Sequence, residues 1–244
     1  FNATNKISGE EVIARVISLS PGTPTQARAA AYRRVQREYT LLSSLNHESI
    51  VAPRDLVQDE DGNTVLVYPV TPGFEPLDLV EADHQLSLDQ QVEILVNAAE
   101  ALAYAHRNHV AHRGLGPSAV LINTEDLARG SINIRLTDWS FAGRVHTALS
   151  STATMFGAPG NAGAAEVDEV YQAPEDRWTP ETDRIALDVF SLGALAYFLL
   201  SGGQPPADSR AGLIERLRRE NGLDLAAAGG QFVGEHLREL VLKA

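Results

Sequence analysis

Two segments hold the residue types that bear most directly on chemistry. Residues 112–120 read HRGLGPSAV, and residues 138–140 read DWS after the strand-like 132–136. A carboxylate such as Asp138 can ligate Mg²⁺, which proteins often hold through one or two carboxylates. Glycine and alanine at positions 114, 116 and 119 can supply neither a base nor a metal ligand. The pattern therefore offers one carboxylate for a cation, and three positions without reactive side chains.

Residues 112–119 resemble the catalytic loop of protein kinases. That loop reads H-R-D-L-x-x-x-N, where the Asp takes the substrate hydroxyl proton and the Asn holds a magnesium ion. In this chain Gly114 stands at the Asp position and Ala119 at the Asn position. The resemblance therefore implies a kinase-like domain that has lost the means of phosphoryl transfer, which is a pseudokinase.

Three further motifs follow in kinase order. Asp138-Trp139-Ser140 is similar to D-F-G, and residues 173–175 carry an intact A-P-E. Asp188 opens an apolar run that resembles the buried large-lobe helix of kinases, whose Asp braces the catalytic loop. The resemblance runs from about residue 8 to the C-terminus. It implies an α+β, bilobal protein-kinase-like fold with a small β-rich N-lobe and a helical C-lobe.

The resemblance also assigns the remaining kinase positions. Arg15 stands at the lysine of V-A-I-K, which grips the nucleotide phosphates, and Gly116 replaces a lysine that touches the transferred phosphate. No lysine occurs between positions 6 and 243. Four catalytic contacts are thus altered together, and we expect all four on solvent-facing rims of the cleft. At Gly114 we expect a backbone conformation that favours glycine.

Glu38 fits the helix glutamate that pairs with the strand cation, so an Arg15–Glu38 pair is expected. The alternative interpretation is that Arg15 and Glu38 are each solvated charges on the surface. A nucleotide would meet Arg15, Glu38, Tyr68 at the gatekeeper position, and Thr71 in the hinge, where Tyr68 could fill part of the pocket. We expect no cofactor, with weak binding of ATP and Mg²⁺ through Asp138 as the open alternative. Asp138 is equally well explained as a structural residue.

Structural roles are implied for the other motif residues. The resemblance places His112 in the core and implies that Arg113 contacts a phosphorylated activation segment. The other structural motif residues are Ala173, Pro174 and Glu175 of A-P-E and Asp188, which braces the loop. Residues 141–170 are the expected activation segment and are rich in small residues. Their hydroxyls (Ser150, Ser151, Thr152 and Thr154) are either phosphoacceptors or incidental.

Composition excludes several classes of function. The net charge of −12 argues against a nucleic-acid partner, since phosphate binding uses clusters of Lys and Arg. There is no Cys, and the seven His show no zinc-site spacing. No apolar run reaches the roughly 18 residues that span a bilayer, so we predict no membrane segment. Abundant Arg and Ala without Cys is typical of a bacterial cytoplasmic protein.

Hydrophobic periodicity gives the order of the elements. We predict strands at 10–19, 50–57 and 64–70, and helices at 26–45, 87–108, 182–201, 210–220 and 234–244. The N-lobe is then 1–70 and the C-lobe 71–244. The chain starts after the expected Gly-rich loop and ends before the last kinase helix, so we expect a fragment of a longer protein.

The sequence thus predicts a catalytically inactive pseudokinase that acts in regulation or as a scaffold. Its expected partner is a protein, either another kinase or other domains of the same polypeptide. Two alternatives remain open: a nucleotide-sensing pseudokinase, and a divergent, slow Ser/Thr protein kinase that uses Arg15 and Asp138.

Overall fold

An antiparallel sheet forms the N-terminal part of the protein. The computed structural model describes residues 1–6, 8–20, 22–59, 63–145, 169–177, 183–225 and 234–243. Four strands pair in the order β1-β2-β4-β3, and all neighbours are antiparallel. They are β1 (Asn2–Thr4), β2 (Glu11–Ile17), β3 (Asp55–Gln58) and β4 (Thr64–Pro69). The register places Arg15 opposite Leu66 and Ile13 opposite Tyr68.

One strand prediction was wrong at its start. The predicted strand at 50–57 begins only at Asp55, because the preceding residues hydrogen-bond to a different strand. The amide of Val51 donates to the carbonyl of Leu136, and the amide of Leu136 donates to the carbonyl of Ser49. The segment before β3 therefore ties the N-terminal sheet to the C-terminal part.

A single long helix packs on the N-terminal sheet. Helix α1 (Thr25–Leu42) buries one face, whose residues recur at intervals of three and four: Val35, Glu38, Leu41 and Leu42. The glutamate in this row is the only charged member, so it must find a partner inside the fold.

The C-terminal part is mainly helical. Its helices are α2 (Leu77–Asp83), α3 (Leu88–Arg107), α4 (Thr124–Ala128), α5 (Arg184–Leu200), α6 (Arg210–Glu220) and α7 (Glu235–Lys243). The predicted start of α3 is confirmed: Ser87 and Gln90 form a capping box. Most of α5 is buried, as its apolar sequence predicted.

Short strands position the segments with the candidate chemistry. Strands β5 (Phe74–Pro76), β7 (Val120–Asn123) and β8 (Ile134–Leu136) form one antiparallel sheet, and β6 (Val110–Ala111) pairs with β9 (Gly143–Arg144). The HRGLGPSA segment connects β6 to β7, and Asp138 follows β8. Both segments therefore emerge at the junction of the two parts.

The predicted fold class is confirmed. An antiparallel N-terminal sheet with one helix precedes a mostly helical C-terminal part, and the main hydrophobic core extends through the latter. Among the described residues, no helix has both the length and the apolar character needed to cross a membrane.

Candidate functional site

The catalytic-loop segment is held by one buried carboxylate. Asp188, in the first turns of α5, is completely buried. Its Oδ1 accepts from the amide of Arg113 at 2.7 Å, and its Oδ2 accepts from the amide of His112 at 2.9 Å. The Nε2 atom of His106 lies 2.7 Å from the same Oδ2. Arg113 has a φ of 65°, a strained value for a residue with a side chain, and these bonds hold it there.

His112 is held as a neutral imidazole inside the core. Its Nδ1 accepts from the amide of Gly114 at 3.2 Å, so the proton lies on Nε2, which donates to the carbonyl of Thr137 at 3.0 Å. Burial lowers the pKa of His112, which agrees with this neutral form. The ring also packs against the indole of Trp139, with centroids 4.3 Å apart.

Trp139 fills the core where the kinase motif has phenylalanine. Its side chain is fully buried, and its indole N–H donates to the carbonyl of Leu136 at 3.2 Å. The larger ring therefore buries its apolar surface, and its one polar atom has a hydrogen-bond partner. The preceding Asp138 has a φ of 52°, in the left-handed region, and lies at the edge of the cleft.

A second buried carboxylate organises the N-terminal part. Glu38 is 4% exposed, and its Oε2 accepts from Arg15 Nη2 at 2.5 Å. Its Oε1 accepts from the hydroxyl of Tyr68 at 2.9 Å. Burial, the largest single cause, lowers the pKa of Arg15, but the charge and hydrogen bond of Glu38, together with Tyr68 and Asp138, outweigh it, and the net shift is upward. Burial, reinforced by Glu38, raises the pKa of Tyr68, so the phenol stays protonated and donates.

A cleft of about 280 Å³ lies between the two parts. Of the predicted nucleotide and metal positions, Arg15, Tyr68, Thr71 and Asp138 line it, while Glu38 lies behind Arg15 and Tyr68. Much of the remaining lining is apolar: Phe1, Ile13, Ala14, Val51, Pro69 and Leu121. The predicted residues are thus brought together, around a cavity near the lower limit of typical ligand pockets, about 300 Å³.

Ile13 was missed by the sequence reasoning. In V-A-I-K the residue two places before the lysine is alanine, and here that position is Ile13. Its side chain lines the cleft opposite Tyr68 in the register of β2 and β4. The signal was present in the sequence, because an isoleucine brings three more carbon atoms into the space where the family has a methyl group.

The residues present supply only part of the protein ligands of a kinase magnesium–ATP site. Among the residues that the structure describes, Asp138 is the one carboxylate lining the cleft, and Ala119 supplies no ligand. In the described part of the chain, no group of three or more His, Asp or Glu side chains could hold a metal ion. Arg15 already donates to Glu38. The site therefore has one carboxylate where kinases use a carboxylate and an amide for two ions.

The expectation that all four altered positions lie on solvent-facing rims of the cleft was wrong for two of them. Gly116 and Ala119 are buried, and Arg15 and Gly114 are partly buried. The reason is that residues 117–119 form a 3-10 turn whose Pro117 and Ala119 pack inward beside β7. The backbone at Gly114 also lacks the positive φ that was expected. A Cβ at this position would instead lie 3.0 Å from Cδ2 of Phe141.

The A-P-E segment is anchored through its backbone. The carbonyls of Ala173 and Pro174 accept from Nη2 of Arg210, at 3.2 and 3.0 Å. Glu175 is exposed. The candidate phosphoacceptors at 150–154 lie outside the described residues.

Comparison with known proteins gives one consistent result. Residues 1–225 match the family model described as "Protein kinase domain". The chain is 29% identical over 180 residues to the serine/threonine-protein kinase PknB of Mycobacterium leprae, covering 72% of this chain and 26% of that protein. It is 30% identical over 189 residues to the serine/threonine-protein kinase PkaB of Streptomyces coelicolor, covering 75% of this chain and 42% of that protein. The matched part of the chain thus spans less than half the length of each of these relatives.

Proposed function

This chain belongs to the protein kinase domain family, and we propose that it is a pseudokinase domain that regulates or scaffolds through protein contacts. The observation that carries the proposal is the contrast within one loop. The backbone of the loop is hydrogen-bonded to a buried carboxylate, while its positions for the base and the second metal ligand are Gly114 and Ala119. Without a base or an amide ligand, neither proton removal nor the second ion has a protein group to support it.

The electrostatics of the cleft support the same proposal. Arg15 preserves the positive charge of the family lysine, but its guanidinium is held between the Glu38 carboxylate and the Tyr68 ring, 5.7 Å from the ring centroid. Arginine is longer and planar, and it does not replace lysine evenly at a tight phosphate site. The pair then serves to fix α1 against β2, which is a conformational role.

The expected partner is a protein. We propose either another kinase or further domains of the same polypeptide, since the relatives are longer than this chain. The charge of −12 favours protein over nucleic acid. A bacterial cytoplasmic setting is part of the same proposal.

Labelled ATP with Mg²⁺ and generic acceptor proteins tests the loss of transfer. We expect no label in acceptor or chain above the level of a heat-inactivated sample, because loss of several groups that act as a unit removes nearly all rate enhancement. A slow, divergent Ser/Thr kinase would instead incorporate label, and the Asp138→Ala variant would abolish it.

Nucleotide sensing is the second candidate. It is favoured by the placement of Asp138, Thr71 and Arg15 on one cleft, which could hold a nucleotide with a single Mg²⁺. A thermal-shift titration separates the candidates: a ligand at about 100 times its Kd stabilises a fold by about 2.7 kcal/mol. We expect no Mg²⁺-dependent rise at millimolar ATP, because Ile13 and Tyr68 narrow the cleft. A clear rise lost in Asp138→Ala would favour the sensor.

A further inference from the structure

Phe141 lies against the catalytic loop at the point where a side chain is missing. A Cβ built on Gly114 would be 3.0 Å from Cδ2 of Phe141 and 3.7 Å from its Cβ and Cγ. Such a contact is tighter than ordinary van der Waals distance, about 3.5–4.0 Å between carbon atoms. A side chain at 114 therefore requires the ring of Phe141 to move by a few tenths of an ångström.

The ring of Phe141 also contacts an arginine of α1. The guanidinium of Arg34 lies 5.2 Å from the centroid of Phe141, a cation–π distance. Its Nη2 and Nε also donate to the carbonyl of Ser140, at 3.1 and 3.4 Å. Arg113 of the catalytic loop donates to the carbonyl of Phe141 at 3.5 Å. Residues 140 and 141 are thus bonded to α1 on one side and to the loop on the other.

These contacts join three parts that are far apart in sequence. Helix α1 belongs to the N-terminal part, the loop follows β6, and Ser140-Phe141 follows β8. Arg34 is partly buried, and although burial lowers its pKa, the nearby Glu38 partly offsets this effect. An arginine remains charged under such conditions because the ordinary pKa of a guanidinium lies far above neutral pH. The contact with the Ser140 carbonyl is therefore a charge-assisted hydrogen bond.

We propose that Phe141 fills the space of the side chain missing at position 114 and, with Arg34, fixes α1 to the catalytic loop. This contact is made by protein groups alone and involves neither nucleotide nor metal. The inference stands on packing contacts and does not depend on whether the domain transfers phosphate.

A double-mutant cycle tests the contact. Gly114→Ala should lower the Tm by roughly 2–4 °C, since about 1 kcal/mol shifts a domain of this size by that amount. In the Phe141→Ala background the same change should cost about 1 °C or less, because the opposing ring is gone. Gly22→Ala is the matched control: a Cβ there meets nothing within 4 Å, so no loss is expected. An equal loss from Gly114→Ala in both backgrounds would overturn the proposal.

Hydrogen exchange separates a local contact from general destabilisation. In Gly114→Ala and in Arg34→Gln, the amides of residues 139–142 should exchange several-fold faster than in the parent, with α5 unchanged. The amide of Ala142, which donates to the carbonyl of Trp139, reports most directly. Unchanged exchange at 139–142 in both variants would contradict the proposed link between α1 and the loop.

Discussion

Two buried carboxylates organise the two parts of this molecule, and they do so in different ways. Asp188 accepts from two backbone amides, so it fixes the path of the catalytic loop whatever side chains the loop carries. Glu38 accepts from the side chains of Arg15 and Tyr68, so its arrangement depends on the identity of those residues.

The difference explains which positions could change. Residues 114, 116 and 119 follow directly on the two residues whose amides bond to Asp188. At these positions the acidic, lysine and amide side chains of the family are absent. At position 15 the lysine is replaced, but a positive charge remains to meet Glu38, which is 4% exposed. A buried carboxylate without a cation would be costly. The loop could therefore lose its catalytic side chains while Asp188 held its backbone. Position 15, in contrast, kept a positive charge that pairs with Glu38.

The largest loss of thermal stability should follow substitution of Asp188, the carboxylate that accepts from backbone amides. In Asp188→Asn the new NH₂ group must face one of the donors now bonded to the carboxylate, which leaves a buried donor unsatisfied. Breaking a buried charged arrangement costs about 3–5 kcal/mol, so the Tm should fall on the order of 10 °C. Thermal unfolding checks this, with exposed Asp83→Asn as the control. A decrease in Tm no larger than that of Asp83→Asn would contradict the proposed role of Asp188 in holding the loop backbone.

A smaller loss of thermal stability is expected from substitution of Glu38, the carboxylate that accepts from the side chains of Arg15 and Tyr68. Glu38→Gln weakens a charged hydrogen bond, but Arg15 is about one-third exposed and can turn towards water. A hydrogen bond to a charged group contributes about 1.5–3 kcal/mol, so we expect a Tm loss of several degrees, less than for Asp188→Asn. Exposed Glu93→Gln is the control. A greater loss than in Asp188→Asn would reverse the proposed ranking.

The smallest expected effect is on the pH dependence of stability, and it comes from Glu81, which belongs to neither the Asp188 nor the Glu38 hydrogen-bond network. Glu81 on α2 has a buried Oε2 without a hydrogen-bond partner among the described residues. Burial raises its pKa to about 7 from an ordinary 4.5, so the folded state binds more protons between these values than the unfolded state does. Stability due to this group is therefore lost as pH rises from about 4.5 to 7.

Glu81→Gln should reduce this slope, because an amide keeps the neutral form at every pH. The difference in Tm between variant and parent should grow from pH 5 to pH 8 in favour of the variant, by a small amount since the carboxyl is partly exposed. The buried His112 contributes the opposite slope below its ordinary pKa of 6.5, but both proteins share it. Exposed Glu100→Gln should parallel the parent. Parallel curves for Glu81→Gln as well would contradict the assignment.

Much of the fold could be read from the sequence, because its motifs are local. Ser87 marks the start of α3, the apolar run after Asp188 marks a buried helix, and the loop motif places Gly114 by spacing alone. What could not be read depends on packing between distant segments. The ring of Phe141 determines the room at Gly114, and the turn at 117–119 buries Ala119. The start of β3 was misplaced for the same reason, since Val51 pairs with the strand ending at Leu136.

The most direct test of the central claim is single-turnover phosphoryl transfer. The protein is held in excess over labelled ATP with Mg²⁺, and the products are followed for hours beside Asp138→Ala and the control Asp83→Ala. If the loop has kept its backbone but lost its chemistry, the parent and both variants will show the same background hydrolysis and no labelled protein. Label in the parent and in Asp83→Ala, but absent in Asp138→Ala, would contradict the account.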